Sequence, residues 1–190
     1  MQPIHKGGLI ALLAIGIAAC SSTSVTSTWK SSAIKTVSVH KMLVVAVVPT
    51  ESVRRNLENE LVRELAKQGV NGTPSYLYIE DGSALDKDVV RSLVRSAGMD
   101  SVFIANYLGT TRELEYTPTT YYDYGYWNTY GGTYEERTEV KLEFRLFDAR
   151  NQGRLVWSAT TSTLAPESVA GAVPKVADDV VAQLEDDIER

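Results

Sequence analysis

"KMLVVAVVPTESVRRNLENELVRELAKQG", Lys41 to Gly69, decides the fold class. Leu43 to Val48 are six uninterrupted apolar residues, rich in β-branched side chains and stopped by Pro49, which predicts a strand buried on both faces. Beyond a Thr50 cap, Val53, Leu57, Leu61 or Val62, and Leu65 fall on one stripe of a helix over Glu51–Gln68, and Gly69 is placed to end it. Strand followed by amphipathic helix is the opening unit of a sheet with parallel strands.

The unit repeats downstream. "SYLYI", Ser75 to Ile79, is expected as a second strand. Asp86 can cap a helix carrying Val89, Val90, Leu93, Val94 and Ala97, with Gly98 closing it. "SVFIANYL", Ser101 to Leu108, is a third apolar strand, so the first strands should run parallel with right-handed crossovers.

The second half changes character. "EVKLEFRLF" alternates Val140, Leu142, Phe144 and Leu146 with Lys141, Glu143 and Arg145, the pattern of a half-solvated antiparallel strand. "DARNQG", Asp148 to Gly153, is turn chemistry, and "RLVWSATTST" returns from it with Trp157 expected to pack under the sheet. Pro166 is expected to open a last helix bearing Val169, Val173, Val176, Val180, Leu184 and Ile188, which Pro174 could kink or shorten. The expected fold class is mixed α/β (α+β), in the order β-α-β-α-β-β-β-α, with helices packed on one mixed sheet.

The N-terminus points to the cell envelope. An apolar run from Leu9 to Ala19 would rise only about 16 Å as a helix, too short for a hydrocarbon core of about 30 Å, and it reads as a secretory signal. "IAAC", Ile17 to Cys20, resembles the lipobox of bacterial lipoproteins. That resemblance implies cleavage between Ala19 and Cys20, a diacylglyceryl group on the Cys20 sulfur and an acyl chain on its new amine. Several chains make a stable anchor where one is marginal. In the sorting pathway this resembles, Ser21 in place of an aspartate implies the outer membrane, facing the periplasm. The expected divisions are therefore a signal peptide at 1–19, a lipidated Ser/Thr-rich tether at 20–36, and one domain at 37–190 with a hairpin insertion at about 116–134.

Several short phrases in the folded part carry a second resemblance: "LVVAVVP" at Leu43–Pro49, "AKQGV" at Ala66–Val70, "AGMDSVFIA" at Ala97–Ala105 and "LFDARNQGRLVWSA" at Leu146–Ala159. Together with the order of elements they resemble a family of uncharacterised bacterial outer-membrane lipoproteins. More distantly they are similar to the N-terminal domain of TolB, an architecture shared by the curli-secretion lipoprotein CsgG and the penicillin-binding-protein activator LpoB. The resemblance implies a fold; no propeller repeats follow as in TolB, and pore-forming strands like those of CsgG are not evident.

Catalytic patterns are sparse. Besides His5 in the signal segment there is only His40, with no second histidine or cysteine to build a zinc site or a triad, and neither a G-x-S-x-G elbow nor a phosphate loop is present. Asp178, Asp179, Glu185, Asp186, Asp187 and Glu189 read as the solvated face of the last helix, and Arg54 and Arg55 as surface charges. No catalytic residue, metal or cofactor is expected, and the chain is read as not an enzyme. Loss of residues 1–19 removes Lys6 and leaves 18 basic against 24 acidic side chains, a charge of about −6 that disfavours nucleic acid.

"YTPTTYYDYGYWNTYGGTY", Tyr116 to Tyr134, concentrates seven of the ten tyrosines. Gly131-Gly132 offers a turn, so Thr120–Tyr130 would pair back against Thr133 onward, with Tyr122, Tyr124 and Tyr126 on one face of a strand. Three readings follow for the hairpin: cross-strand aromatic pairs in solvent, a partner-binding surface using Tyr122, Tyr124, Tyr126, Trp127 and Tyr130, or a membrane element. Spanning is disfavoured by the lack of an aliphatic band and by the flanking charges.

The function expected is a non-catalytic protein-binding or envelope-assembly module on the periplasmic face of the outer membrane. Its partners would be the bilayer, through acylated Cys20, and an unidentified periplasmic or envelope protein, with oligomerisation left open. The alternatives are a subunit of an oligomeric export complex, as the CsgG resemblance implies, and a cell-wall-acting enzyme or a regulator of cell-wall synthases, as the LpoB resemblance implies.

Overall fold

The structure, a computed structural model, describes residues 22–37, 39–80, 86–123, 126–164 and 169–189. In chain order its elements are β1 (Ser22–Lys30), β2 (Lys41–Val47), α1 (Glu51–Lys67), β3 (Asn71–Pro74), α2 (Lys87–Ser96), β4 (Ser101–Asp123), β5 (Tyr126–Asp148), β6 (Arg154–Leu164) and α3 (Val169–Glu189). The strands form one six-stranded sheet in the order β1-β6-β5-β4-β2-β3. β2 runs parallel to β3 and β4, and the remaining pairs are antiparallel. The mixed α/β class follows from the sequence as read; one strand is added at the front.

That addition corrects the expected tether. Ser22–Lys30 is the outer edge strand, paired antiparallel to β6 from Ser22↔Leu164 to Lys30↔Trp157. Composition alone misled because a Ser/Thr-rich segment has little to bury by itself. Thr and Val nevertheless suit a pleated surface, and β6 offers an open edge to pair with. Thr23 and Thr163 hydroxyls meet at 2.9 Å across the pair, and the Lys30 ammonium reaches Asp187 of α3 at 3.1 Å.

The expected strand at Ser75–Ile79 is also displaced. The pairing segment is Asn71–Pro74 alongside Lys41–Val44, and after Pro74 the chain enters a single 3-10 turn, Ser75–Leu77. α1 ends one residue before its expected limit, capped at its start by Thr50 Oγ1 accepting from the Val53 amide at 3.4 Å and released at Gly69, whose φ of +76° suits glycine.

Helices cover both faces. α1 and α3 bury Leu57, Leu61, Leu65, Val173, Val176, Val180 and Leu184 against Met42, Val44, Phe103, Phe144 and Trp157. The Phe103 ring lies 5.8 Å from Phe144 and 6.1 Å from Trp157 between centroids, so these rings form the middle of the main core. On the other face α2 brings Val90, Leu93 and Val94 to Leu43, Val45 and Val102. This double cover is why Leu43–Ala46 reads as an unbroken apolar run; Val47, expected to be buried with them, is exposed, and Val48 lies past the strand's end. α3 continues through Pro174, and the expected opening at Pro166 lies outside the described residues.

Candidate functional site

β4 and β5 are each 23 residues long, about twice what the sheet requires. Each rung from Ser101↔Asp148 onward steps one residue inward on each strand, apart from two irregularities, and the last pairs are Tyr122↔Trp127 and Asp123↔Tyr126. Only residues 124 and 125, outside the described set, lie between the paired ends. The ladder therefore runs on past Gly131-Gly132, and the reversal expected at those glycines is overturned. The physical reason is the ladder itself: once Phe103↔Leu146 and Ala105↔Phe144 are fixed by the core, the register propagates outward and sets where two antiparallel strands can meet.

The expected row Tyr122–Tyr124–Tyr126 on one strand face is overturned with the turn. Tyr122 is on β4 opposite Trp127, Tyr126 is on β5 opposite Asp123, and Tyr124 lies outside the described residues. Tyr130 falls in the irregular step between Pro118↔Gly132 and Thr120↔Thr129.

Gly132 has a different role from a turn glycine. A Cβ there would stand 2.5 Å from two Tyr116 ring atoms and 2.7 Å from the Thr117 carbonyl oxygen, so the ring of Tyr116 lies across the glycine. Two rungs away along the ladder, Tyr116 and Tyr134 face one another with centroids 5.1 Å apart. Leu114 and Tyr134 are 72% and 71% exposed, so this stretch has apolar surface in the open. Arg112 and Glu136 form an exposed ion pair at 3.5 Å near its base.

The hairpin leaves the sheet at one identifiable end. Ser22 pairs with Leu164, Leu164 with Glu139, and Glu139 with Thr111, so these four residues mark a common level across β1, β6, β5 and β4. Arg112 to Asp123 on β4 and Tyr126 to Thr138 on β5 extend beyond that level. Ala19, Cys20 and Ser21 lie outside the described residues, but Ser22, the first described residue, starts at this same end.

Several carboxylates are buried in the body, Glu58, Asp100 and Asp187 among them. Glu58 Oε1 accepts from the Ala46 amide at 2.9 Å, Arg54 Nε at 3.3 Å and Ser75 Oγ at 2.7 Å, while Oε2 accepts from the Tyr76 amide at 3.2 Å. Arg54, expected at the surface, is itself buried and also donates to Glu51 and to the Ile79 carbonyl. β3 stops alongside Val44, so Glu58 supplies the acceptor that a longer strand would have given Ala46. The neighbouring Arg55 lies over the Tyr76 ring at 4.7 Å. Asp100 likewise accepts from the His40 and Lys41 amides at 3.1–3.2 Å, fixing the start of β2, and exposed His40 contributes only its backbone there.

The expected solvated acidic face holds only in part: Asp178 is exposed, Asp179, Glu185 and Asp186 are half-buried, and Asp187 is buried. Asp187 accepts from Trp157 Nε1 at 2.9 Å, Lys30 Nζ at 3.1 Å and Gln183 Nε2 at 3.1 Å, tying β1, β6 and α3 together. Burial is the largest single influence on its carboxyl and pushes its pKa up. The three donors and the Lys30 charge together outweigh that and hold it below the ordinary value of 3.8. Among the described residues no three His, Cys, Asp or Glu side chains gather as a metal site, and no helix is long and apolar enough to cross a membrane.

No family model and no curated protein matches the chain. Among solved structures it is similar to the PelC dodecamer from Paraburkholderia phytofirmans, at 15% identity over 87% of this chain and 97% of that one, with a TM-score of 0.48. It is also similar to the lipoprotein GNA1162 from Neisseria meningitidis, at 20% identity over 77% and 98% with a TM-score of 0.44. A minor lipoprotein from Acinetobacter baumannii matches at 12% identity over 78% and 94% with a TM-score of 0.40. Bacterial lipoproteins are thus among the structures it is similar to, and identities this low say nothing of activity.

Proposed function

We propose that this chain is a lipoprotein of the bacterial envelope, anchored through acylated Cys20 to the periplasmic face of the outer membrane, where it acts as a non-catalytic binding or assembly module. The observation that carries the reading is the position of the lipobox. Cys20 stands two residues before β1, so an acyl anchor there would hold an edge strand of the folded body at the bilayer without an intervening leash. Two residues reach at most about 7 Å. The buried carboxylates Glu58, Asp100 and Asp187 are engaged by backbone amides and structural side chains, which fits a body built to hold shape.

Metabolic labelling with an alkyne fatty acid followed by separation of inner and outer membranes tests the anchor. Label on the wild-type chain in the outer-membrane fraction, with neither label nor membrane retention in Cys20→Ala, is the expected result; a soluble, unlabelled wild-type chain would sink it. Crosslinking in intact envelopes tests the binding role. Recovery of no protein partner would count against that part.

A second reading, a subunit of an oligomeric export assembly, is favoured by the outer edge of β1. This strand closes one side of the sheet, and its first eight residues carry no charge to discourage pairing with another chain. Light scattering on the domain without its acyl chains should then give a multimer, and a strict monomer at high concentration would remove this reading.

A further inference from the structure

We infer that the β4–β5 hairpin beyond Thr111 and Glu139 is a second membrane contact, lying against the bilayer that holds Cys20 with its aromatic end seated among the lipid headgroups. This rests on the anchor proposed above.

The placement comes from register. Ser22, Leu164, Glu139 and Thr111 share one level of the sheet, and the chain enters β1 at that level from Cys20, two residues away. Arg112–Asp123 continues past it for twelve residues, about 40 Å at the rise of a strand. β5 and β4 stand two and three strands from β1, an offset of roughly 10–14 Å. A projection of about 40 Å this close to a tether of about 7 Å meets the membrane surface whenever the chain enters β1 along the strand's own direction.

Chemistry then separates resting from crossing. Between Tyr116 and Tyr134 there is not one Leu, Ile, Val or Met, so no lipid-facing aliphatic band exists to line a hydrocarbon core of about 30 Å. What the stretch does hold is tyrosine and tryptophan, whose amphipathic rings favour the headgroup level. Tyr116 and Tyr134 are exposed as a ring pair, and the ladder carries Tyr122 and Trp127 as partners near the far end. The charged residues Arg112, Glu113 and Glu136 are all exposed near the base, where water and headgroups meet them. The excess of carboxylates there favours zwitterionic over anionic lipid.

Trp127 provides the probe. Trp157 is buried in the core, and Trp29 lies seven residues along β1 from Ser22, about 23 Å away from the anchor level. The full acylated chain is reconstituted into vesicles of phosphatidylethanolamine and phosphatidylglycerol containing lipids brominated either near the headgroup or near the chain terminus. Expected is loss of tryptophan emission with the shallow bromine, weaker with the deep one, and absent in Trp127→Phe. Equal quenching in wild type and Trp127→Phe overturns the inference, as does stronger quenching by the deep bromine, which would mean insertion. A photocrosslinker at position 127 that captures protein and not lipid in intact envelopes overturns it in favour of a protein contact. Mass spectrometry of the same sample separates the two levels. An unmodified Cys20 defeats the anchor and the hairpin contact together, whereas acylated, vesicle-bound protein with unquenched Trp127 defeats the hairpin contact alone.

Discussion

The two ends of strands β4 and β5 are built from one continuous ladder and are stabilised in different ways. From Ser101 to Asn106, β4 lies between β2 and β5, and Phe103, Ala105, Phe144 and Leu146 are buried beneath α1 and α3. From Arg112 to Asp123 the same strand pairs with β5 alone, and Leu114, Tyr116 and Tyr134 stand in the open. In the first region burial sets the register, at about 1.5–3 kcal/mol for each large apolar side chain. In the second the register is inherited, and cross-strand pairs add about 0.2–1 kcal/mol each. One region determines the fold, and the other is available for contact.

The largest effect should come from the body. Phe144→Ala removes a fully buried ring that stacks on Phe103 and should cost about 3–5 kcal/mol in urea or guanidinium unfolding. Glu58→Ala should cost a similar amount, about 3–5 kcal/mol, because Arg54 and the Ala46 amide are left buried without their acceptor. A loss under about 1 kcal/mol in either would contradict the division drawn between the two regions.

Asp187 extends the comparison to pH. Its folded pKa is lowered, so its contribution is present at neutral pH, above the unfolded value, and is lost as pH falls through the folded one, that is, below about pH 4. Glu64, held low by Lys67, and Glu139, held low by Ser162, titrate in the same direction in wild type and variant alike. Asp187→Asn should lose about 1.5–3 kcal/mol at neutral pH and converge with wild type in acid. Parallel curves down to acid pH would show that the carboxylate contributes no charge-dependent stability.

How legible these regions are in the sequence follows the same split. The unbroken apolar run Leu43–Ala46, the alternation at Val140–Leu146 and the stripe of α1 are patterned by burial, and these stand where expected. β1 was hidden because its stability comes from its neighbour: a Ser/Thr-rich edge strand has the composition of a linker. Arg54, Glu58 and Asp187 were hidden because a buried, paired charge has the same letter as a solvated one. At Glu58, its spacing of four from Arg54 on the edge of the apolar stripe was the available signal. The hairpin's register is not legible in the sequence because two adjacent glycines are the stronger local turn signal, whereas the ladder's geometry is fixed some twenty residues away.

Gly132 tests that last point with a smaller effect. Gly132→Ala puts a methyl against the Tyr116 ring, which can swing aside, and against the Thr117 carbonyl oxygen, which belongs to the backbone. The expected cost is about 1–3 kcal/mol and local, so limited proteolysis should cut the hairpin faster while the global unfolding midpoint holds. An unchanged digestion pattern would mean that the close approach across Pro118↔Gly132 is relaxed in solution.

Tyr134→Ala should have the smallest effect on stability and is the sharpest probe of what the hairpin is for. It removes one ring of the pair at 5.1 Å while Tyr116, on the opposite strand, keeps its place over Gly132. With 71% of Tyr134 exposed, the loss in global unfolding should stay within about 0.2–1 kcal/mol. A surface that exists for contact and not for folding should respond elsewhere: in the acylated chain, this substitution should weaken shallow quenching of Trp127 while leaving vesicle attachment through Cys20 intact. A loss of several kcal/mol instead would mean that the hairpin contributes to the core after all, and the two ends of the ladder would have to be treated as one cooperative unit.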